Sequence, residues 1–120
     1  MQEIKELSIL TKIHDMAKYA YPALMQFPKS EKFALAADIK RCIDFVLEKA
    51  IEGTKGYYKK TTLRDMDVGL LKLRHYIRLS AELGFLPTKK YEIWAGMVTE
   101  IGKMLGGWIK QEQESDKYKQ

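Results

Sequence analysis

The sequence contains little of the chemistry that catalytic, secreted or membrane-spanning proteins use. It has one cysteine, two histidines and three prolines in 120 residues, and no apolar run approaches the length of a membrane-spanning helix. A single cysteine excludes an internal disulfide, and the short apolar runs exclude a transmembrane helix. The charged residues Glu3, Lys5 and Glu6 stand where a signal peptide needs an unbroken apolar segment. We therefore expect a soluble, cytoplasmic protein with no membrane partner.

The motifs of common catalytic and cofactor sites are also missing. Neither His14 nor His75 has a glutamate three residues before it, so the Glu-x-x-His pairs of di-iron bundles are absent. There is no glycine-rich phosphate loop, no Cys-x-x-Cys pair and no nucleophile elbow. Cys42 lies in an apolar stripe with Ile39 and Ile43, which predicts a buried thiol rather than a reactive one. The sequence thus predicts no enzyme, no metal and no cofactor.

Basic residues outnumber acidic ones. Lysine and arginine total 21 against 16 aspartates and glutamates, which gives a formal charge of +5 and a pI near 9.2. A net positive charge favours encounters with polyanions, so nucleic acid is the first class of partner to consider.

Four segments carry apolar residues at steps of three and four, the spacing that lines one face of an α-helix. The predicted helices span about 5–26, about 30–52, Thr62 to Gly84 and Thr88 to about 110, with a polar, frayed tail over 111–120. The expected core residues are Leu7, Leu10, Ile13, Ala17, Ala20 or Tyr21, and Leu24, then Leu35, Ile39, Ile43, Val46 and Ala50, then Leu63, Met66, Leu70, Leu73, Ile77 and Ser80, and finally Tyr91, Trp94, Val98, Ile101, Leu105 and Trp108. Such helices, joined by short links, predict a single all-α domain, an antiparallel up-down-up-down four-helix bundle.

Local signals predict where these helices begin and end. The residues expected at helix starts are Ser30 or Pro28, Thr62 with Asp65 as a capping box, and Thr88. Gly53 and Gly56 are expected just past the end of the second helix. The stretch from Gly53 to Lys60 is then the longest irregular connection, and it contains three lysines, two tyrosines and no acid.

The helices carry more apolar residues than one bundle needs. On a helical wheel, five residues fall outside the core stripes, namely Phe45, Val68, Leu71, His75 and Leu79. Contiguous exposed apolar residues mark an interface, which favours a homo-oligomer, whereas scattered ones carry no meaning. Gly102 and Gly106 share one flank of the fourth helix. Either another helix approaches them closely, or Gly106 simply ends the helix.

Two groups of basic residues form the predicted nucleic-acid or polymerase site. The first surrounds the tyrosine-containing connection, and the second lies one helical turn apart on the third helix. The residues of this site are Lys55, Tyr57, Tyr58, Lys59, Lys60, Arg64, Arg74 and Arg78. Lysine and arginine bind phosphates without reading sequence, and tyrosines stack on unpaired bases, which suits RNA or single-stranded DNA. The competing interpretation is a solvated basic face with no partner.

Several short motifs resemble those of one known superfamily. The segments that carry the resemblance are Phe27-Pro28-Lys29-Ser30-Glu31-Lys32-Phe33, Asp38-Ile39-Lys40-Arg41, Glu52-Gly53, Leu70-Leu71-Lys72-Leu73-Arg74, Glu82-Leu83-Gly84-Phe85-Leu86 and Ile101-Gly102-Lys103-Met104-Leu105-Gly106-Gly107-Trp108. They are similar to four-helix-bundle proteins that include the ribosomal-RNA intervening-sequence proteins and the accessory variability determinant (Avd) proteins of diversity-generating retroelements. Lys49 stands where the intervening-sequence branch tends to have asparagine, whereas the last three segments look like Avd.

The resemblance to Avd implies a function that composition and periodicity do not show. It implies a noncatalytic homopentamer, shaped as a ring or barrel, with a basic surface. That surface is expected to bind the retroelement reverse transcriptase and its template-repeat RNA and so to support mutagenic reverse transcription. The alternative is an intervening-sequence-type bundle with a structural or RNA-associated scaffold role.

Overall fold

The computed structural model describes the backbone of residues 2–119 and the side chains of residues 8–115. This part of the chain contains four α-helices, one short 3₁₀ turn and no strand. The helices are α1 (Gln2–Met25), α2 (Leu35–Lys55), α3 (Lys59–Glu82) and α4 (Thr88–Lys119), and the 3₁₀ turn spans Lys29–Glu31. The all-helical class predicted from the sequence is confirmed.

Each helix packs against its neighbours in the chain, and α4 returns to pack against α1. Because the connections are short, consecutive helices run in opposite directions, which is the arrangement of an up-down-up-down bundle. The Lys12 ammonium lies 2.9 Å from the Glu100 carboxylate and joins α1 to α4 at the surface. The hydrogen bond to Glu100 raises the pKa of Lys12.

The core consists of one apolar stripe from each helix. The stripes predicted on α2, α3 and α4 are buried, except that Leu35 and Tyr91 are only partly buried. On α1 the stripe is displaced, because Ile9 and Met16 are buried while Leu10 and Ala17 are only partly so. Ala20 rather than Tyr21 faces the core. Leu7 lies outside the described side chains.

The start of α2 corrects the prediction of a helix from residue 30. Neither Ser30 nor Pro28 opens it, because Pro28 precedes the 3₁₀ turn and the backbone of Ala34 is not helical. The Glu31 carboxylate accepts a hydrogen bond of 3.3 Å from the backbone N–H of Leu35. The carboxylate of Glu31 thus satisfies an N–H group that the first turn of α2 leaves unpaired.

The connection between α2 and α3 is much shorter than predicted. Gly53 is buried within α2, which ends at Gly56 in the left-handed conformation (φ 80°), so only Gly56 of the two glycines lies past the helix. The helix α3 begins at Lys59, so the predicted capping box at Thr62 is wrong. The Thr62 hydroxyl instead donates a hydrogen bond of 3.0 Å to the carbonyl of Tyr57, and this bond is partly buried.

Both ends of α4 also differ from the prediction. The carbonyl of Pro87 accepts a hydrogen bond of 2.9 Å from the N–H of Tyr91, so Pro87 has the N-cap role and Thr88 is the first helical residue. At the other end, Gly106 does not end the helix. The segment predicted to fray, 111–120, is helical as far as Lys119.

The single cysteine is buried, as predicted. The Cys42 thiol donates a hydrogen bond of 3.3 Å to the backbone carbonyl of Gly69, which ties α2 to α3. Burial raises the pKa of the Cys42 thiol. A thiol that stays protonated and lies in the core is a poor nucleophile.

Gly53 is required by the packing of Trp108. A Cβ atom at position 53 would lie 2.7 Å from Cη2 and 3.1 Å from Cζ2 of the Trp108 indole. The same atom would lie 3.2 Å from Cδ2 of Leu63. Three helices therefore meet at a position where only glycine leaves enough space.

We predict that Gly53→Ala lowers the free energy of unfolding by about 1–3 kcal/mol, the usual effect of overfilling a packed core. The change removes a helix-interior glycine, which alone would stabilise α2 by about 1 kcal/mol. The matched control is Gly107→Ala on α4, where a Cβ meets nothing within 4 Å and only the helix-propensity gain remains. Denaturant unfolding followed by circular dichroism measures both, and a stabilised Gly53→Ala protein would contradict the packing.

Candidate nucleic-acid and subunit interfaces

The turn between α2 and α3 has an unusual backbone. Gly56 has a φ of 80°, and Tyr58 has a φ of 46°, the only positive φ of a non-glycine residue in the described chain. Glycine adopts this conformation without cost, but a tyrosine in it costs on the order of 1 kcal/mol or more. The Thr62 hydroxyl on the Tyr57 carbonyl and the Thr62 N–H on the Tyr58 carbonyl (2.9 Å) hold the turn in place.

The first turn of α3 is poorly suited to starting a helix. Tyr58 occupies the N-cap position and makes no side-chain cap, and no acid follows it in the first turn. That turn instead contains Lys59 and Lys60, whose positive charges oppose the positive end of the helix dipole. A strained, exposed and electrostatically unfavourable turn is typical of a binding site rather than of a connection optimised for stability.

The side chains of this turn point into solvent. Tyr57 is 66% exposed and Tyr58 is 88% exposed, and Lys55 and Lys60 are exposed beside them. Arg64 follows Lys60 by one helical turn, and the two line a groove of about 360 Å³ between α3 and α4. The structure therefore brings together most of the predicted site at one end of the bundle.

Lys59 differs from the other residues of the predicted site. Its ammonium lies 3.1 Å from the Glu112 carboxylate and 5.9 Å from the centre of the Trp108 ring. Both charged side chains of this pair are mostly buried. Lys59 therefore connects the start of α3 to α4 and contributes to the structure of the turn.

Arg74 and Arg78 lie farther along α3, on the side that faces α4. The Arg74 guanidinium donates a hydrogen bond of 2.8 Å to the hydroxyl of Thr99 on α4. Arg78 lies 3.7 Å from Glu82 in an exposed ion pair. A groove of about 350 Å³ contains both arginines together with Leu71 and His75. Residues that the sequence assigned to two functions, nucleic-acid binding and oligomerisation, thus share one groove.

The other predicted interface residues lie elsewhere on the outer surface. Phe45 and Val68 line a second groove, between α2 and α3, and the Phe45 ring packs beside Gly69, where a Cβ would approach it to 3.0 Å. The exposed fractions are 38% for Phe45, 62% for Val68, 55% for Leu71 and 42% for Leu79. The prediction that these side chains lie outside the core of one subunit is confirmed.

Gly102 and Gly106 of α4 have no role in the packing of the part of the chain that the structure describes. A Cβ at Gly102 or Gly106 would meet no atom within 4 Å among the described residues, so no helix of the same chain approaches them closely. Gly106 does not end the helix either. Neither a closely packed helix of the same chain nor a helix end therefore explains these glycines. Each helix-interior glycine costs about 1 kcal/mol relative to alanine, and nothing within the described part of the subunit offsets that cost.

Sequence reasoning missed three residues that complete the groove around Arg74. Ala95 and Thr99 of α4 line it opposite the arginines, and Lys103 lines an adjoining groove that also contains Arg74 and Asp67. Their spacing of four residues places them on one flank of the helix, so a helical wheel of α4 would have identified them. Which residues of α3 they would face could not be read from the sequence.

The described residues contain no group of histidine, cysteine, aspartate and glutamate side chains arranged to hold a metal ion. None of the helices in the described part of the chain is both long and apolar enough to cross a membrane.

The strained turn gives a test with opposite outcomes at adjacent tyrosines. We predict that Tyr58→Gly raises the free energy of unfolding by about 1 kcal/mol, because glycine adopts a positive φ freely. Tyr57→Gly, at an ordinary φ, should lower it by about 0.5–1 kcal/mol through the greater entropy of the unfolded chain. Chemical denaturation measures both, and equal effects at the two positions would contradict the left-handed Tyr58.

Comparison with known proteins gives a family for the whole bundle. The family model described as bAvd-like matches residues 7–112, which include residues of all four helices. No curated protein matches the chain. The matched range contains the strained turn and the grooves that hold Arg74 and Phe45. The chain therefore belongs to the bAvd-like family, a family of noncatalytic accessory proteins.

Proposed function

We propose that this chain is an accessory protein of a diversity-generating retroelement, which binds the reverse transcriptase and the template-repeat RNA and supports mutagenic reverse transcription. Membership of the bAvd-like family is the observation that carries the proposal. The exposed, basic turn between α2 and α3 supports it, because a protein that handles template RNA needs a surface for phosphates and unpaired bases. The proposed location is the cytoplasm.

Each part of the turn has a role in the proposed RNA contact. Tyr57 and Tyr58 offer exposed aromatic faces on which unpaired bases stack. Lys55 and Arg64, exposed on either side of them, bind phosphates and release counterions. These contacts are independent of sequence, so the turn would retain a template strand without selecting among bases.

The proposed functional unit is a homopentamer. Val68 and Leu71 are more than half exposed in the single subunit, and Phe45 and Leu79 are substantially exposed. Apolar side chains clustered along the outer face of α3 are stabilised when a second subunit covers them. Assembly would also repeat the basic turn around a ring, so that one RNA strand meets several copies.

The salt dependence of RNA binding tests the proposed role of the turn. We predict that Lys55→Ala combined with Arg64→Ala weakens binding and lowers the slope of log affinity against log salt by about 0.7 for each phosphate that the variant no longer binds. A matched control with the same charge change is Lys29→Ala combined with Lys32→Ala, at the opposite end of the bundle. The measurement is fluorescence anisotropy of a labelled single-stranded RNA across a salt series.

Equal losses in the two double variants would show that only net charge matters and would contradict the site. A wild-type protein without salt-dependent binding would overturn the RNA role altogether. Co-purification with the reverse transcriptase of the same element, with and without nuclease treatment, tests the polymerase part of the proposal separately. Failure to co-purify under either condition would contradict it.

A further inference from the structure

The segment from Phe27 to Phe33 contains two phenylalanines with opposite surroundings. Phe27 is 3% exposed, and the centre of its ring lies 5.7 Å from that of Phe85, in the connection between α3 and α4. Phe33 is 95% exposed. The Phe33 ring therefore adds nothing to the core, and no residue of this segment belongs to the proposed RNA contact.

The backbone around Phe33 is held in place by hydrogen bonds. The N–H of Ala34 donates a hydrogen bond of 3.2 Å to the carbonyl of Glu31. The carboxylate of Glu31 accepts a second one from the N–H of Leu35, the first residue of α2. Because this turn is already ordered, a partner that binds the Phe33 ring loses little affinity to the ordering of the backbone.

Two more apolar side chains are exposed at the same end of the bundle. Met25, the last residue of α1, is 68% exposed, and Leu83, just past the end of α3, is 52% exposed. The contact between Phe27 and Phe85 places the connections α1–α2 and α3–α4 side by side.

The width of the bundle keeps these three side chains together. The bundle measures 23 by 20 Å across, and one partner in an ordinary protein interface contributes about 800 Å². A single partner can therefore cover Met25, Phe33 and Leu83, which we name the apolar end. Exposed apolar side chains grouped in this way mark a binding surface, whereas single ones carry no meaning.

The segments that meet at the apolar end carry a net positive charge. Residues 21–41 and 78–92 contain seven basic side chains and four acidic ones. All of these acids except Glu92 are already engaged, by a backbone N–H or by an arginine of the same helix, namely Glu31, Asp38 and Glu82. Few carboxylates are thus left to neutralise the lysines.

The lysines around the apolar end are less engaged than the acids. Lys29, Lys32 and Lys89 are exposed, and none of them forms an ion pair within the described part of the chain. The ammonium of Lys40 lies 5.1 Å from the centre of the Tyr21 ring, a contact that leaves its charge in place. The surroundings of the apolar end are therefore complementary to carboxylates.

We infer that the apolar end docks on a second protein, at an apolar pocket that carboxylates surround. This inference rests on the proposed function, in which that protein is the reverse transcriptase and the RNA occupies the opposite end of the bundle. Phe33 enters the pocket, Met25 and Leu83 cover its edge, and Lys29 and Lys32 pair with the carboxylates. A few well-buried side chains carry most of the affinity at such interfaces, and charges at the rim mainly raise the association rate.

The composition of the apolar end favours a protein over a nucleic acid. Unpaired bases stack on aromatic rings and on guanidinium groups. Met25 and Leu83 have no aromatic ring, and the nearby Arg41 and Arg78 are paired with acids. Such apolar side chains gain most when they are removed from water against other apolar groups.

Removal of the exposed ring tests the inference. We expect Phe33→Ala to weaken binding to the nuclease-treated reverse transcriptase of the same element at least about tenfold, as truncation of a central interface residue does. The control is Ile51→Ala on α2, because Ile51 is also exposed (46%) and belongs to neither proposed contact. This control should bind like the wild type. Biolayer interferometry with the purified proteins measures both affinities.

The lysines give a second test with a different readout. Lys29→Ala combined with Lys32→Ala should slow association with the reverse transcriptase at low salt. The difference from the wild type should largely disappear at high salt, where exposed charges are screened. An association rate that equals that of the wild type at low salt would contradict the role of the lysines.

Stability and RNA binding distinguish a docking role from an indirect effect. Because Phe33 is exposed, Phe33→Ala should leave the midpoint of denaturant unfolding unchanged. Its affinity for single-stranded RNA should also equal that of the wild type, because the turn between α2 and α3 lies at the other end. A lowered midpoint would show that the ring packs within the subunit and would overturn the inference.

The remaining outcomes separate this inference from the proposed function. If the wild type binds the reverse transcriptase and Phe33→Ala binds it equally well, the assigned surface is wrong while the proposed function stands. If Phe33→Ala loses affinity for RNA instead, the apolar end is a nucleic-acid surface and the inference is wrong. If the wild type does not bind the reverse transcriptase, both are wrong.

Discussion

The contact between the Trp108 indole and Gly53 determines the geometry of the end of the bundle that carries the exposed tyrosines. The indole occupies the space that a side chain at position 53 would fill, 2.7 Å from where a Cβ would lie. The indole thus reaches from α4 across the bundle to the backbone of α2, and Lys59 contacts both the Trp108 ring and Glu112. Because α3 begins so soon after α2 ends, the turn between them is tight, and Tyr58 lies outside the bundle in a left-handed conformation.

The helix α3 connects the core with both candidate surfaces. One side of it contributes Leu70 and Leu73 to the core, and its first turns carry the basic residues of the strained turn. Its outer side carries Val68 and Leu71 between two grooves. Because a helix in a four-helix bundle buries only one stripe, the rest of its surface is available to bind RNA at one end and another subunit along its length.

Periodicity predicted the four helices and most core residues, since burial of one stripe per helix depends on spacing alone. On α1 it predicted Ile13, Ala20 and Leu24 correctly but chose Leu10 and Ala17 over Ile9 and Met16, which belong to an equally regular apolar series. The start of α2, the boundary between α2 and α3 and the end of α4 were predicted poorly, whereas the end of α1 and the start of α4 lie within one residue of the prediction. Gly53 was predicted to lie just past the end of α2, but glycine is needed there because the Trp108 indole packs against it. Trp108 is distant in the sequence, so no local signal reveals this contact. Likewise, sequence identified Arg74 and Leu71 separately, and only the rotation of α3 against α4 shows that they share a groove.

We propose that nucleic acid contacts the bundle at the turn between α2 and α3. Ultraviolet cross-linking of the assembled protein to single-stranded RNA, followed by mass spectrometry of the peptides, locates the contact directly. We expect adducts on the segment from Tyr57 to Arg64, where exposed aromatic and basic side chains lie together. Adducts confined to the opposite end, around Lys29 to Phe33, or to the groove around Arg74 would contradict the claim.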